Sequence, residues 1–479
     1  MEMLYLYLLI FIFAILYSKA TLFWVYLWQL KEYRLDRFLA EFGFLGRLLR
    51  FWAFSGGRKF HRPVFTVKAL FVYVSSLLVI LFGIYFISKG FFYGVIPDFW
   101  LIFLSLLGLY FLVPFLVLLV MSLFQMPVVL VKNLIYKMAA WRVASVKNLV
   151  VIGITGSYGK SSTKEFLAQI LEKKFKVIKT PKNINTEIGI SKFILQKLNP
   201  DDEIFIVEMG AYKKGEIKRI CDIVKPKIGI ITGINEQHLD LFGSFENIIN
   251  TKFELIESLP RTMAVQGGPE DGFALFNGEN EHCVEMSEKW SGEKAVYKSD
   301  PNDSNKHPND PNFPNYYLAN LAGAIEAAKH LGMGEDEIAE AVKNIRLTDR
   351  MLNSYIGKGG ALIIEDTYSA NPAGVLAALD YLGQQKQKTK IVVMPCLIEL
   401  GSAAEKVHRE IGKKIAEVCD LAIITTKDYF DILKEEAGEK VILAVKPEKV
   451  IELIKDKLNS DTAVLIEGRV ADGVVEFVK

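Results

Sequence analysis

Residues 150–171 read VVIGITGSYGKSSTKEFLAQIL, and this stretch decides the fold of the second part of the chain. Its apolar, β-branched start predicts a buried strand that ends at Thr155, and the pattern from Lys160 onward predicts an amphipathic helix. Between them lies a turn that contains Gly156 and Gly159. Backbone N–H groups of such a turn, together with the N-terminus of the following helix, can bind phosphate. The stretch therefore predicts a P-loop-type phosphate site.

The side chains of this turn indicate how a nucleotide and a metal ion would be held. Lys160 would reach the terminal phosphates, and the Ser161 hydroxyl would bind Mg²⁺. The spacing departs from G-x-x-x-x-G-K-[ST], because the position five before Gly159 is Ile154 and the first glycine is Gly156. A chance glycine-rich turn is the alternative, which the flanking strand and helix disfavour. The expected nucleotide-binding residues of the turn are Thr155, Gly156, Ser157, Gly159, Lys160, Ser161 and Ser162.

Outward from this motif, short β-branched runs alternate with helical patterns through the rest of the chain. Strands that alternate with helices predict parallel sheets covered on both faces. This part of the chain has about 330 residues, more than a single hydrophobic core usually accommodates. We therefore expect two α/β domains, at 148–347 and 348–479. The predicted strands are Leu149–Thr155, Ile204–Glu208, Ile228–Thr232, Leu362–Glu365, Lys390–Met394, Leu421–Thr425, Val441–Ala444 and Ala463–Glu467.

The first third of the chain is much more apolar than the rest. Segments near 4–30, 69–88 and 99–124 are almost wholly apolar, and each reaches the length of about 20 residues that a membrane-spanning helix needs. Buried core helices are the alternative, but apolar runs of this length rarely fit a soluble core. Glu2 replaces the basic start of a cleavable signal peptide. We therefore expect a membrane region over residues 1–147 with three transmembrane helices.

The charges that flank these segments predict their orientation. Residues 31–68 contain nine basic and three acidic side chains. Because cytoplasmic loops carry an excess of Lys and Arg, the basic loop and everything after Gln125 should lie in the cytoplasm, and the N-terminus and the 89–98 turn outside. The basic loop would either contact anionic lipid headgroups or simply be solvated.

The overall composition excludes several classes of protein. The 479 residues carry 57 Lys+Arg against 55 Asp+Glu, a formal net charge of +2, which gives no case for nucleic-acid binding. Hydrophobic residues make up 51%, which excludes disorder, collagen or a coiled coil as the main architecture. No CxxC pair is present, so a zinc ribbon is not expected. The widely separated cysteines are typical of a protein from a reducing compartment. The four cysteines are Cys221, Cys283, Cys396 and Cys419.

The turn after the first predicted strand has the form T-G-x-x-G-K-[ST]-[ST], which resembles that of the Mur ligases. This family makes amide bonds in the bacterial cell-wall precursor, and the chain is most similar to its MurF branch, which adds D-alanyl-D-alanine. Eight further motifs resemble the family and follow in the order that it requires. They are TPKNINTEIGIS (180–191), VEMGA (207–211), NEQHLDLFGS (235–244), TKFELIESL (251–259), YYLANLAGAIEAAKHLG (316–332), DRM (349–351), IEDTYSANP (364–372) and LIELG…H (397–408).

The resemblance implies a role for particular residues of these motifs. The implied metal ligands are Ser161, Glu208, His238 and Lys252, with Lys252 carbamylated and two Mg²⁺ ions bound. The implied contacts to the nucleotide outside the turn are Asn320, to adenine, and Arg350. The implied catalytic residues are Lys160, His238, Lys252, Arg350 and Asp366. The implied substrate-binding residues are Asn185, Thr186, Tyr368 and Asn371.

Each of these residues also has an ordinary structural alternative when it is considered alone. Glu208 follows an apolar strand, and ligands bind at the carboxyl ends of strands in open α/β sheets, but a solvated Glu is common there as well. His238 alone would be a histidine with a satisfied structural role, and Lys252 a lysine on a solvated helix face. Their joint occurrence in the expected order favours the functional interpretation.

The resemblance thus implies a fold and an activity. The expected fold class is α/β, with a P-loop-type central ATPase domain and a C-terminal Rossmann-like domain after the three transmembrane helices. The expected activity is ATP-dependent amide ligation through an acyl phosphate, adding D-alanyl-D-alanine to UDP-N-acetylmuramoyl-tripeptide, with ATP and Mg²⁺ as cofactors. The expected location is the bacterial inner (cytoplasmic) membrane, multi-pass, with the ligase domains in the cytoplasm. The expected partners are a nucleotide-sugar peptide or lipid-linked precursor, a dipeptide or amino-acid amine, and membrane lipid.

Two alternatives remain open at this stage. Soluble members of the family carry an N-terminal domain that grips the UDP-sugar, where this chain has its apolar segments. A Mur-type ligase could therefore join another amino acid or amine to a lipid-linked or polymeric acceptor. The alternative from another class is a non-catalytic membrane ATP-binding protein, which would not need a metal-binding Lys252.

Overall fold

A computed structural model of the chain describes residues 2–30, 33, 38, 62–93, 98–182, 184–261, 271–300, 302–303, 306–310, 313–348, 351–367 and 370–479. The chain divides into two compact units, Met1–Asn133 and Leu134–Lys479.

The first unit is built from three long apolar helices. They are α1 (Glu2–Leu30), α2 (Val67–Phe92) and α3 (Phe99–Ser145), the last of which continues into the second unit. All three are long and apolar enough to cross a membrane. The expected third segment, 99–124, is the first half of a 47-residue helix that continues through both Pro114 and Pro127.

Aromatic side chains and a few internal hydrogen bonds hold these helices together. Tyr17, Trp24 and Trp28 are almost fully buried. The hydroxyl of Tyr17 donates to the carbonyl oxygen of Leu106 at 2.6 Å. Large apolar side chains on the outer faces, such as Phe82, are more than half exposed, which indicates a surface that meets lipid or another apolar partner.

The last turns of α3 belong to the core of the second unit. Ala139 and Val143 pack in the same apolar cluster as Ile190 and Ile194. The guanidinium of Arg142 donates to the carbonyl oxygen of Leu198 at 2.7 and 3.2 Å. Residues 134–146 therefore pack as part of the first α/β domain.

The first α/β domain contains a six-stranded, wholly parallel sheet in the order β2-β3-β1-β4-β5-β6. Its central strands are buried runs of Val and Ile, which suits strands that are covered on both faces. The strands are β1 (Val150–Thr155), β2 (Val177–Lys179), β3 (Ile204–Glu208), β4 (Ile228–Ile231), β5 (Phe273–Asn277) and β6 (Lys294–Tyr297). The helices are α4 (Lys160–Leu171), α5 (Glu187–Lys197), α6 (Glu216–Val224), α7 (Leu239–Phe242), α8 (Phe245–Glu257), α9 (Glu281–Lys289), α10 (Leu318–His330) and α11 (Glu335–Lys343), with a 3₁₀ turn at Asn315–Tyr317.

The second α/β domain contains another six-stranded sheet, in the order β11-β10-β9-β12-β8-β7. All neighbouring pairs are parallel except β7 and β8, so the only antiparallel strand described lies at an edge. The strands are β7 (Asn353–Ile356), β8 (Leu362–Asp366), β9 (Thr389–Met394), β10 (Leu421–Ile424), β11 (Val441–Leu443) and β12 (Thr462–Glu467). The helices are α12 (Pro372–Gly383), α13 (Ala404–Val418), α14 (Phe430–Ala437), α15 (Pro447–Ile454) and α16 (Asp472–Val478), with 3₁₀ turns at Lys358–Gly360, Gly401–Ala403, Gly438–Lys440 and Lys455–Lys457.

One apolar cluster is shared by the two α/β domains. It contains Phe166 and Leu321 of the first domain and Ile364 and Leu465 of the second, with Leu352 in the segment between them. Parallel sheets bind their ligands at the carboxyl ends of the strands. Ligand sites are therefore expected at the ends of β1 and β3 and at those of β8 and β12. The fold predicted from the sequence, two parallel α/β domains after three apolar helices, is confirmed.

Candidate active site

The turn between β1 and α4 approaches neighbouring groups too closely for side chains at its glycines. Gly159 has a φ of 79°, and a Cβ added there would lie 2.3 Å from Oδ1 of Asn320. A Cβ on Gly156 would lie 2.2 Å from Oγ1 of Thr232. Glycine is therefore required at both positions by space, and at Gly159 also by the left-handed backbone.

Three polar side chains converge on Glu208 at the end of β3. The Ser161 hydroxyl donates to Oε2 of Glu208 at 2.9 Å, and Nζ of Lys164 donates to the same oxygen at 3.0 Å. Nδ2 of Asn185 donates to Oε1 at 3.1 Å. The side chains of Lys164 and Glu208 are 1% and 3% exposed, so this is a buried ion pair. Ser161 and Glu208, predicted to act together, are in direct contact.

Lys160 lies over the turn that precedes it. Its ammonium donates to the carbonyl oxygens of Gly156 at 2.8 Å and Ser157 at 3.0 Å. Burial lowers the pKa of Lys160, and the carboxylate of Glu208 opposes this shift. The lysine is therefore held at the place where an incoming phosphate would meet the turn.

Hydrogen bonds with the loops that follow β3 and β4 fix the remaining turn residues. The Thr155 hydroxyl donates to the carbonyl oxygen of Met209 at 2.9 Å. The backbone N–H of Ser157 donates to the carbonyl oxygen of Gly233 at 2.6 Å, and its hydroxyl accepts from the N–H of Asn235 at 3.2 Å. Ser162 lies in the first turn of α4.

Lys252 is buried in α8, contrary to the alternative of a solvated helix face. It is 4% exposed, and its Nζ lies 5.7 Å from the ring centroid of Phe242. The pKa of Lys252 is lowered to about 7, mainly by burial and also by the charge of Lys160. Glu216 and Glu254 act in the opposite direction. An amine with such a pKa is partly neutral at physiological pH.

His238 and Glu399 join the two α/β domains. Nδ1 of His238, which follows β4 in the first domain, lies 2.5 Å from Oε2 of Glu399, which follows β9 in the second. The backbone N–H of Asp240 donates to the carbonyl oxygen of Glu399 at 3.2 Å, and the ring of Tyr212 packs edge-on against His238. With Nδ1 engaged, Nε2 is the nitrogen of His238 that remains for a metal ion.

A second contact between the domains involves Asn371. Its Oδ1 accepts from Nδ2 of Asn235 at 3.2 Å and from the backbone N–H of Gly374 at 3.1 Å, which caps the N-terminus of α12. Asn235 also contacts Ser157, so Asn371 reaches the phosphate-binding turn through one intermediate residue.

The other residues expected in the site have distinct places. Asn320 is 7% exposed and lies against Gly159. Thr186 is the residue before the first turn of α5. Asp366, at the end of β8, is half-buried, and desolvation raises its pKa to about 6. Arg350 and Tyr368 lie outside the described residues.

The donor set around Glu208 fits a Mg²⁺ ion that also binds nucleotide phosphates. Mg²⁺ is usually held by one or two carboxylates, hydroxyls and substrate phosphates rather than by a complete protein cage. Ser161 and Glu208 supply that combination. Accordingly, the residues that the structure describes contain no group of three or more His, Cys, Asp or Glu side chains arranged for a metal ion.

Four residues that sequence reasoning missed or left undecided contribute to this region. Lys164 pairs with Glu208, and its position one turn after Lys160 on α4 could have indicated it. Glu399 lies in a recognised motif, but no local pattern shows that it meets His238. Glu467 is buried beside Asp366, as described below. His408, undecided from the sequence, has a structural role, since its Nε2 accepts from the N–H of Leu397 at 3.1 Å.

Comparison with known families accounts for both α/β domains. A model of the Mur ligase middle domain matches residues 154–310, and a model of the Mur ligase, glutamate ligase domain matches residues 350–470.

Individual relatives agree with these matches. The UDP-N-acetylmuramoyl-tripeptide–D-alanyl-D-alanine ligase of Synechocystis sp. is 29% identical over 290 residues, which cover 58% of this chain and 61% of the relative. The protein of the same name from Bacillus subtilis is 28% identical over 284 residues, 56% of this chain and 60% of the relative. The chain thus spans about three fifths of the length of these relatives.

Solved structures show the same fold. MurF from Acinetobacter baumannii has a TM-score of 0.63 at 24% identity, covering 72% of this chain and 80% of that chain. The MurF ligase from Thermotoga maritima in complex with ADP has a TM-score of 0.62 at 23% identity, covering 72% and 83%. The chain therefore belongs to the Mur ligase family, of which it carries the middle and the C-terminal domains.

Proposed function

We propose that this chain is a membrane-anchored, ATP-dependent amide ligase that adds D-alanyl-D-alanine to UDP-N-acetylmuramoyl-tripeptide and forms ADP and phosphate. The observation that carries the proposal is the convergence of Ser161 and Lys164 on Glu208 beside the phosphate-binding turn. This cluster lies in a chain with both Mur ligase domains, and the relatives that it matches are named for this ligation.

The residues of the chain would divide the work as follows. Bound ATP and Mg²⁺ supply the transferable phosphoryl group and neutralise its charge. Ser161 and Glu208 would hold one Mg²⁺, and His238 with a carbamylated Lys252 would hold the second. Lys160 would place its positive charge against the phosphates as they move to the substrate carboxylate. The acyl phosphate formed in this way is then attacked by the amine, and phosphate leaves.

The remaining assignments come from the family resemblance and rest on fewer contacts. Asn320 would contact adenine and Arg350 the nucleotide. Asp366 would act beside the reacting groups. The substrate-binding residues would be Asn185, Thr186, Tyr368 and Asn371.

The environment of Lys252 supports its carbamylation. An amine must be neutral to react with carbon dioxide, and burial lowers the pKa of Lys252 to about 7. The reaction releases one proton and converts the side chain into an anion, which can then bind a cation. Carbamylation would also remove the unfavourable proximity of two positive charges on Lys252 and Lys160.

We propose further that the three apolar helices anchor the ligase in the bacterial inner membrane. The N-terminus would lie outside, and the basic loop 31–68 and the ligase domains would lie in the cytoplasm. The proposed domains are 1–147, 148–347 and 348–479. Because residues 134–146 pack in the first α/β domain, the membrane-spanning part of the first domain would end before residue 134. Helix length and apolarity support this arrangement. Full-length protein should sediment with membranes and resist extraction at alkaline pH. A chain that begins near Lys147 and still supports full activity in cells would count against a role for the anchor.

The apolar helices favour one second candidate, a ligation of the same type on a lipid-linked acceptor. A membrane anchor would place the ligase beside acceptors that cannot leave the bilayer. The acyl-phosphate chemistry and the residues that hold ATP would be the same. The two candidates differ only in the acceptor.

The test is ligation by the full-length protein purified in detergent. ATP, Mg²⁺ and D-alanyl-D-alanine are supplied with either UDP-N-acetylmuramoyl-tripeptide or the corresponding lipid-linked tripeptide. ADP release is measured and the product is identified by mass spectrometry. A UDP-linked pentapeptide supports the proposal, and a product from the lipid-linked acceptor alone supports the second candidate.

A variant separates ligation from nucleotide binding alone. Lys252→Ala should abolish turnover while the protein still binds ADP, because Lys252 lies outside the phosphate-binding turn. Unchanged ADP binding by Lys252→Ala, with neither ATP consumption nor an amide product from the wild type, would support the non-catalytic ATP-binding alternative instead.

A further inference from the structure

Two carboxylates lie side by side at the carboxyl end of the second sheet. Asp366 ends β8 and Glu467 ends β12, and the two residues are register partners in this parallel pair. Register partners on adjacent strands direct their side chains to the same face of a sheet, with their backbones about 4.8 Å apart. The same face carries Ile364 and Leu465, which pack in the apolar cluster shared by the two domains.

Among the described residues, no side chain donates a hydrogen bond to the buried carboxylate of Glu467. It is 1% exposed, and neither of its carboxylate oxygens has a hydrogen-bond partner among the described residues. Buried polar groups are nearly always hydrogen-bonded, since an unpaired one carries the full cost of lost hydration. An orphaned carboxylate of this kind indicates that a donor or a cation belongs beside it.

A third oxygen faces the pair from the first domain. The hydroxyl of Tyr316, in the 3₁₀ turn before α10, is buried, and it interacts with the side chain of Tyr317. It interacts electrostatically with both Asp366 and Glu467. Burial raises the pKa of Tyr316 well above its usual value, so the hydroxyl stays neutral. The three side chains thus offer three oxygen acceptors between the two domains.

We propose that Asp366, Glu467 and Tyr316 form a binding site for a primary ammonium group, that of the amine substrate. The inference rests on the proposed amide ligation and adds to it the chemistry that selects the amine. An ammonium group has three N–H donors, which match the three acceptors. The residue Asn371, five positions after Asp366, contacts Asn235 of the turn region, so the site adjoins the place of phosphoryl transfer.

A metal ion fits this site less well than an ammonium group does. Only two carboxylates are present, and no group of three or more His, Cys, Asp or Glu side chains occurs in the part of the chain that is described. Mg²⁺ in addition requires octahedral coordination and gives up its water reluctantly.

The protonation state of the pair provides a specific signature of binding. The groups that face Glu467 are Asp366 on β8 and Tyr316 and Tyr317 on the 3₁₀ turn. Burial, and then the charge of Asp366, raise the pKa of Glu467 well above its usual value. A bound ammonium group would stabilise the carboxylate and lower this pKa, so binding should release protons to the buffer.

The test is titration calorimetry on the full-length protein in detergent with ADP and Mg²⁺ at neutral pH. The probes are D-alanyl-D-alanine, L-lysine and N-acetyl-D-alanyl-D-alanine, which lacks the ammonium group. Each titration is made in PIPES and in MOPS, which carry no primary amine and whose different heats of ionisation report the protons released. We expect an unacetylated amine to bind with release of protons, and the acetylated peptide not to bind.

Variants at the pair and a matched control identify the site. Glu467→Gln should raise the Kd at least about tenfold, the change expected for loss of a hydrogen bond to a charged group, and should abolish proton release. Asp366→Asn tests the second carboxylate. The control is Glu365→Gln, because Glu365 lies one residue along β8 and faces the opposite side of the sheet. It should bind the amine as the wild type does.

Each outcome bears on one proposal or the other. Unchanged amine affinity in Glu467→Gln, equal binding of the acetylated peptide, or no binding of either amine overturns the ammonium site. Pentapeptide formation with an unchanged KM for the amine in Glu467→Gln leaves the ligase proposal standing and removes the site. Glu467-dependent binding of an amine without any pentapeptide keeps the site and removes the proposed substrates.

Discussion

Oε2 of Glu399 lies 2.5 Å from Nδ1 of His238, so one carboxylate of the C-terminal domain is bound to a histidine of the middle domain. Both residues have left-handed backbone conformations, with φ of 63° and 64°, which non-glycine residues adopt rarely. Such backbone strain persists only where surrounding contacts enforce it. The pairing therefore couples the orientation of His238 to the position of the C-terminal domain.

Removing this carboxylate should weaken metal binding at His238. In Glu399→Ala the imidazole loses the partner that fixes its ring and tautomer, and loss of such a partner typically weakens metal affinity about 10–100-fold. The measurement is a Mn²⁺ titration of the ADP complex followed by electron paramagnetic resonance. Glu399→Gln, which can still accept a hydrogen bond, should recover part of the affinity. If His238→Ala weakens binding and Glu399→Ala does not, the coupling is wrong.

Lys164→Met should destabilise the protein when Mg²⁺ is absent. Glu208 would then remain buried without its cationic partner, and breaking a buried ion pair costs about 3–5 kcal/mol. The double variant Lys164→Met/Glu208→Met removes both charges and should lose much less stability. The measurement is urea unfolding of the full chain followed by pulse proteolysis. Equal losses in the single and double variants would show that packing, and not charge, determines the effect.

Gly159→Ala should abolish tight nucleotide binding. The new Cβ would collide with Oδ1 of Asn320 at 2.3 Å in a backbone conformation of φ 79°. The control is Gly215→Ala, since Gly215 has a similar φ of 87° but nothing within 4 Å of the new atom. The control should lose about 1–2 kcal/mol of stability from backbone strain alone and keep its ADP affinity. Equal loss of ADP affinity in both variants, measured by calorimetry, would refute the steric argument.

As the pH rises, Glu467→Gln should become increasingly stable relative to the wild type. Burial raises the pKa of Glu467 well above its value in the unfolded chain and that of Asp366 to about 6. A group with a raised pKa gives its full contribution below the unfolded pKa and loses it as the pH rises through the folded one. Wild type should therefore lose stability from about pH 4 upward, and the variant less so. Apparent Tm values at pH 5 and pH 8, without added amine, test this, and a constant difference would contradict it.

The local patterns of the sequence were sufficient to predict eight of the twelve described strands and the phosphate-binding turn. The strands β2, β5, β6 and β7, which lie at or next to the sheet edges, were not predicted. β1 and α4 flank this turn. Roles could be predicted for its side chains because residues that are close in the sequence of a short turn are also close in space. The contact between Ser161 and Glu208 could also be anticipated. Glu208 ends β3 and Ser161 lies in the first turn of the helix after β1, and the carboxyl ends of parallel strands meet at the same edge of a sheet.

Contacts between distant segments could not be predicted in this way. Glu467 meets Asp366 because β12 inserts between β9 and β8, an order that no local periodicity encodes. Glu399 meets His238 only because two separate domains meet there. Glu208 was predicted to bind a metal ion, whereas Lys164, its buried partner, was not identified.

The reactivity of the four cysteines can report local opening of the two α/β domains. All are buried free thiols, two in each α/β domain, and burial raises the pKa of Cys221, Cys283 and Cys419 to about 12. The thiolate is the nucleophile that attacks alkylating reagents, so alkylation of the intact fold should be very slow. Cys396 lies three residues before Glu399, in the segment that binds His238. The rate at which Cys396 is alkylated would therefore follow the detachment of that segment, without any introduced label.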